Sequence, residues 1–111
     1  MNDENDKNII TDIWSPESVK AEILAVVKNV AEILVDKNRK YGNAALQPKR
    51  IFSRSNLIEQ LNIRIDDKLS RIANQQEDED EDAELDLVGY LILKRVCKNL
   101  QEKTEKAKEK N

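Results

Sequence analysis

Three observations predict an all-α protein built on three main helices. Apolar residues recur at three- and four-residue steps in three separate stretches, the period of a helix with one buried face. Each stretch opens on a helix-start signal: Ser15-Pro16, then Asn56 with Glu59 three residues on, then an acidic run ending at Asp82. The composition agrees, with charged residues at 37%, hydrophobic ones at 39%, and only two glycines in 111 residues to interrupt helices. A chain of this length makes one domain. Residues 1–12 are expected to be a flexible N-terminal segment, 13–100 a single helical domain, and 101–111 a charged C-terminal tail.

In the first helix, Ser15 serves as N-cap and Pro16 takes the first helical position. Val19, Ile23, Val26, Val27, Val30, Ile33 and Leu34 then form an apolar stripe. The helix is predicted to run to about Lys40 and stop near Gly42. The connection that follows carries Pro48, Ile51 and Phe52 and is longer than most helix–helix links, a length often tied to function. The second helix is predicted to start at Ser55 or Asn56. Its Ile58, Leu61, Ile65, Leu69 and Ile72 share one face. The third is predicted from about Asp80 to at least Leu100. Leu85, Leu87, Val88, Leu91, Ile92, Leu93 and Val96 cover more than half its circumference, so it requires burial on two sides. Three helices from so short a chain cannot supply that cover alone, which predicts a homo-oligomer, at least a dimer, completing a larger bundle. The tail after Leu100 alternates in charge and reads as a solvated extension of the last helix or as disorder.

Composition also narrows the chemistry. No apolar run reaches the length of a membrane span, and the polar, acidic start MNDENDKN is no signal peptide, so a cytoplasmic location is expected. The absence of histidine removes the commonest general base and nearly every zinc site. Cys97 is the only cysteine and lies in an apolar helix, which suits a small buried hydrophobe. A net charge of −3 argues against stable nucleic-acid binding. Chemistry therefore falls to carboxylates, lysines, arginines and a metal.

Two clusters qualify. Glu77 to Asp82 are six consecutive acidic residues, and Asp82 and Asp86 project from the same face of the third helix, one turn apart. Such a pair can hold Mg²⁺, which takes one or two carboxylates together with waters and substrate phosphates. The competing reading is that acidic residues favour a helix N-terminus and that charge runs face water. On the second helix, Arg64, Asp67, Lys68 and Arg71 form a stripe beside the apolar seam. It is either a phosphate-gripping rim or a set of salt bridges on a solvated face. Gly89 removes a side chain from the Asp82–Asp86 face, permitting close helix packing or ligand approach.

The segments KNRKYGNA (37–44), RIDDKLSRI (64–72) and DAELDLVGYLIL (82–93) together resemble the phage and prophage proteins of the nucleotide modification associated domain 1 family. The family pattern falls on Tyr41 and Gly42, on Arg64, Asp67, Lys68 and Arg71, and on Asp82, Asp86 and Tyr90. The resemblance implies a MazG-like all-α fold and a role in phage nucleotide metabolism. MazG-type enzymes hydrolyse nucleoside triphosphates to monophosphate and pyrophosphate, using Glu-x-x-Glu on one helix and Glu-x-x-Asp on the next to bind metal. This chain departs from that pattern at Ala83, three before Asp86, and at Ser70.

Two functions follow as expectations. One is Mg²⁺-dependent nucleotide hydrolysis in a modification pathway, with Asp67, Asp82 and Asp86 holding the metal and Arg64, Lys68 and Arg71 on the phosphates. The other is a sponge or sensor that binds a nucleotide immune signal without turnover, an anti-defence role in which Tyr41 or Tyr90 stacks on a base. A purely structural helical oligomer is a third, plainer possibility. The incomplete metal motif favours binding, and the Asp82–Asp86 pair favours an enzyme.

Overall fold

A computed structural model describes residues 12–43, 45–47, 56–75 and 81–110. It is all-α, with helices α1 (Pro16–Lys40), α2 (Leu57–Ala73) and α3 (Ala83–Glu109), and no strand among the described residues. Pro48, Ile51 and Phe52, the acidic residues Glu77 to Asp80 and nearly all of the N-terminal segment lie outside them. The chain divides into two compact units between Asp36 and Lys37, each taken by itself below.

The first unit carries α1 as far as Asp36. Its start is set by Ser15, whose Oγ accepts from the Ser18 amide at 3.2 Å while its carbonyl accepts from the Val19 amide at 2.9 Å. Along the apolar stripe Val30 is buried, whereas Ile23, Val26 and Val27 are more than half exposed.

The second unit begins with the last turn of α1. Gly42 and Asn43 both take positive φ, 58° and 64°, and the Asn43 amide donates to the Asn38 carbonyl at 3.1 Å, the bond that closes a Schellman ending. Glycine reaches that region without strain, and asparagine tolerates it better than most residues. Asn56 caps α2 by accepting from the Glu59 amide at 2.8 Å, and Asp82 caps α3 by accepting from the Leu85 amide at 3.0 Å. α1 and α2 therefore begin within a residue or two of where the sequence signals place them, whereas α3, expected from about Asp80, begins three residues later at Ala83, after its cap.

α2 and α3 pack against each other, and their contacts run in opposite sequence directions: Lys68 meets Asp86, while Arg64 meets Tyr90. They are antiparallel. Leu61 and Ile65 from α2 and Ala83, Gly89 and Cys97 from α3 are buried. Burying a leucine such as Leu61, only 1% exposed, contributes about 1.5–3 kcal/mol. The small residues of α3 let the helices approach closely. Leu69, expected on this seam, is 49% exposed, and Lys68 lies inward instead with 12% of its side chain exposed. Ile58, Leu61, Ile65, Lys68 and Ile72 alternate three- and four-residue steps, the spacing that keeps one stripe facing a partner helix. Beyond Leu100, α3 continues to Glu109 with exposed side chains, the solvated-extension alternative for the tail.

Candidate functional site

The charged residues of α2 meet α3 at its N-terminal turn. Lys68 lies too far inward for its ammonium to be fully hydrated, so it needs partners. It has two: its Nζ contacts the Glu81 carboxylate and lies 3.3 Å from Asp86 Oδ2. Arg71 Nη1 donates to Glu81 Oε2 at 2.5 Å, and its Nε lies 3.2 Å from Asp67 Oδ2, one turn back on the same helix. Two cations and three carboxylates thus form one connected network at the mouth of the α2–α3 pair. The bond to Lys68, reinforced by Arg71, holds the Glu81 carboxyl below the usual carboxylate range, and the bond to Glu81 raises Lys68 further above neutrality.

Arg64, one turn before Lys68, sits at the edge of this network. Its guanidinium lies 5.8 Å from the centre of the Tyr90 ring, and Nη1 donates to the Tyr90 hydroxyl at 3.4 Å. Among the described residues no carboxylate lies within ion-pair distance of it.

The expected site residues therefore separate. Arg64 and Tyr90 lie together, as do Lys68, Arg71, Asp67 and Asp86. Asp82 turns its carboxylate to the α3 amides, while Asp86, one turn on, faces Lys68. Tyr41 stands apart at the end of α1, 61% exposed, with the Lys40 ammonium 5.7 Å from its ring centre. No hydrogen bond, ion pair or ring contact among the described residues joins Tyr41 to the α2–α3 cluster.

Glu81 is the residue that sequence reasoning missed. It belongs to an acidic run that reads as solvent-facing, and its partner Lys68 is 13 positions away across the interhelical connection, beyond any helical periodicity. The one available signal was charge balance, three cations on α2 against one carboxylate in the same stripe.

A divalent cation can be tested against these donors. Glu81 and Asp86 already converge on a single cationic atom, Lys68 Nζ, and two carboxylates in that relation suit Mg²⁺ with the remaining positions left to water and phosphate. Asp82 is held by the helix end and Asp67 by Arg71. No group of three or more acidic or cysteine side chains gathered for a metal occurs among the described residues.

Elsewhere in the second unit, a groove of about 360 Å³ is lined by Asn38, Asn43 and Gln47 on one side and by Cys97, Leu100 and Gln101 on the other. Asn38 Nδ2 donates to Asn43 Oδ1 at 2.6 Å, so these amides chiefly brace the turn after α1. Burial pushes the Cys97 thiol up, away from thiolate reactivity. No described helix is long and apolar enough to cross a membrane. No protein-family model, curated protein or solved structure matches the chain.

Proposed function

We propose that the protein is a phage-type, MazG-like nucleotide-handling protein that grips nucleotide phosphates at the edge of the α2–α3 charge network. The observation that carries this reading is Arg64, a guanidinium set over Tyr90 one turn before Lys68, with no described carboxylate of its own. A planar fork of donors suits phosphate oxygens, and the neighbouring ring offers a surface on which a base can stack. Lys68 and Arg71, already paired, would reinforce the positive potential and exchange partners with an incoming phosphate. The order and spacing of the Tyr41-Gly42, Arg64–Arg71 and Asp82–Tyr90 elements support the same conclusion.

Binding without turnover, as a nucleotide sponge or sensor, is the reading favoured here, because Asp82 and Asp67 are each held by other groups. Hydrolysis is the second reading, and the convergence of Glu81 and Asp86 on one cation favours it. In that case those two carboxylates would hold Mg²⁺, which when bound supplies charge neutralisation on the phosphates. Arg64 would then orient the phosphate group.

Arg64→Ala is the discriminating variant. It should weaken binding of a nucleoside triphosphate by about 1–3 kcal/mol while the unliganded melting temperature barely moves. Titration calorimetry and thermal melting measure the two effects, and unaltered affinity would sink the assignment. Turnover is read separately, by recovering the nucleotide after long incubation with Mg²⁺. Intact ligand supports the sponge, whereas pyrophosphate release that Asp86→Asn abolishes supports the hydrolase.

A further inference from the structure

We propose that the Glu81 carboxylate is a built-in competitor for phosphate: in the unliganded chain it occupies the seat formed by Lys68 and Arg71, and an arriving phosphate displaces it. This inference rests on the phosphate-binding reading above and adds what regulates that site.

Glu81 meets the two cations as an oxyanion ligand would, with one oxygen to each. Its Oε1 accepts from Lys68 Nζ and its Oε2 from Arg71 Nη1. Phosphate oxygens take paired donors in the same way, so this carboxylate stands where a phosphate group would.

Among the described residues Glu81 is the only carboxylate that the two cations share. Lys68 also has Asp86, 3.3 Å away, and Arg71 also has Asp67, at 3.2 Å. Each cation therefore keeps a carboxylate of its own when Glu81 leaves, and the seat stays formed. Asp67 and Asp86 are fixed within helices, whereas Glu81 precedes the Asp82 cap and can swing away without unwinding α3. The contact is also within reach of a ligand, since the Glu81 and Arg71 side chains are 21% and 37% exposed.

Charge and tethering set the balance. A phosphate monoester brings about two negative charges and three acceptor oxygens, more than one carboxylate offers. Glu81 is attached to the chain, however, and a short tether gives an effective concentration on the order of millimolar. The wild type should therefore bind phosphate more weakly than its cations alone would allow, in proportion to the fraction of open seats.

Calorimetric titration with inorganic triphosphate, in buffer free of divalent cations, tests the proposal. Glu81→Gln should bind at least about 10-fold more tightly than the wild type, because the competitor is gone. Adding Arg71→Ala to that variant should cancel the gain. Glu84→Gln removes the same charge from an exposed position three residues on and should change affinity less than about threefold at physiological salt. If Glu81→Gln fails to fold, the side-chain carboxyl carbon resonance of Glu81 in the wild type decides, since it should move when triphosphate saturates the protein. An affinity of Glu81→Gln no higher than that of the wild type, an equal gain from Glu84→Gln, or a Glu81 resonance that stays still while triphosphate binds would each overturn the competition and leave phosphate binding standing. Failure of every variant and of the wild type to bind would overturn both.

Discussion

Asp82 and Asp86 lie one turn apart in the same acidic stretch, yet they serve different ends. Asp82 satisfies a backbone amide that the start of α3 would otherwise leave unpaired, so Asp82→Ala should cost about 0.5–2 kcal/mol. Asp82→Asn, which keeps the acceptor oxygen, should cost far less, and chemical denaturation of the pair measures the difference. Glu81 supplies the pH dependence. Its carboxyl is held low in the fold by Lys68 and Arg71, so its contribution is present above the ordinary glutamate pKa of about 4.3 and disappears as pH falls through its lowered folded value. Lys68 behaves oppositely: its contribution is present below the ordinary lysine pKa of about 10.4 and is lost as pH rises through the raised one. The melting temperatures of wild type and Glu81→Gln should therefore differ at neutral pH and converge in acid. A constant gap down to pH values below the carboxylate range would show that Glu81 acts through shape alone.

Helices are the scale at which this sequence was most legible. The caps at Ser15 and Asn56 and the Gly42 stop are local, each needing only a few neighbouring residues to act, whereas the capping role of Asp82 was not read from the acidic run. Which residues on a face turn inward is not local. Leu69 and Lys68 adjoin in sequence, and hydrophobicity alone puts Leu69 inside. The alternating spacing of the seam and the carboxylates of Glu81 and Asp86 draw Lys68 in instead. Charge pairing across a connection leaves no periodic trace, which is why Arg64, Lys68, Arg71 and Asp86 could be nominated but the role of Glu81 could not. A paired test follows. Leu61→Ala should destabilise α2–α3 by about 2–5 kcal/mol, whereas Leu69→Ala should stay within about 0.5 kcal/mol, as measured by denaturant unfolding. Equal costs would mean that Leu69 is covered in solution, by a partner copy or by another part of the chain.

At the scale of the whole molecule, function depends on whether the α2–α3 network accepts an outside anion. Its carboxylates already neutralise Lys68 and Arg71, so a purely structural network should be indifferent to nucleotides, while a phosphate site should respond to them in proportion to their charge. The direct measurement is a thermal-shift series comparing nucleoside triphosphates with the corresponding nucleosides, with and without Mg²⁺. A ligand that binds only the folded state raises its apparent stability. Triphosphates should raise the melting temperature of the wild type, nucleosides should not, and Arg64→Ala should remove the effect. Equal indifference to both series, across ribo-, deoxyribo- and cyclic nucleotides, would contradict phosphate binding at this network and leave α2–α3 as a structural pair held by its salt bridges.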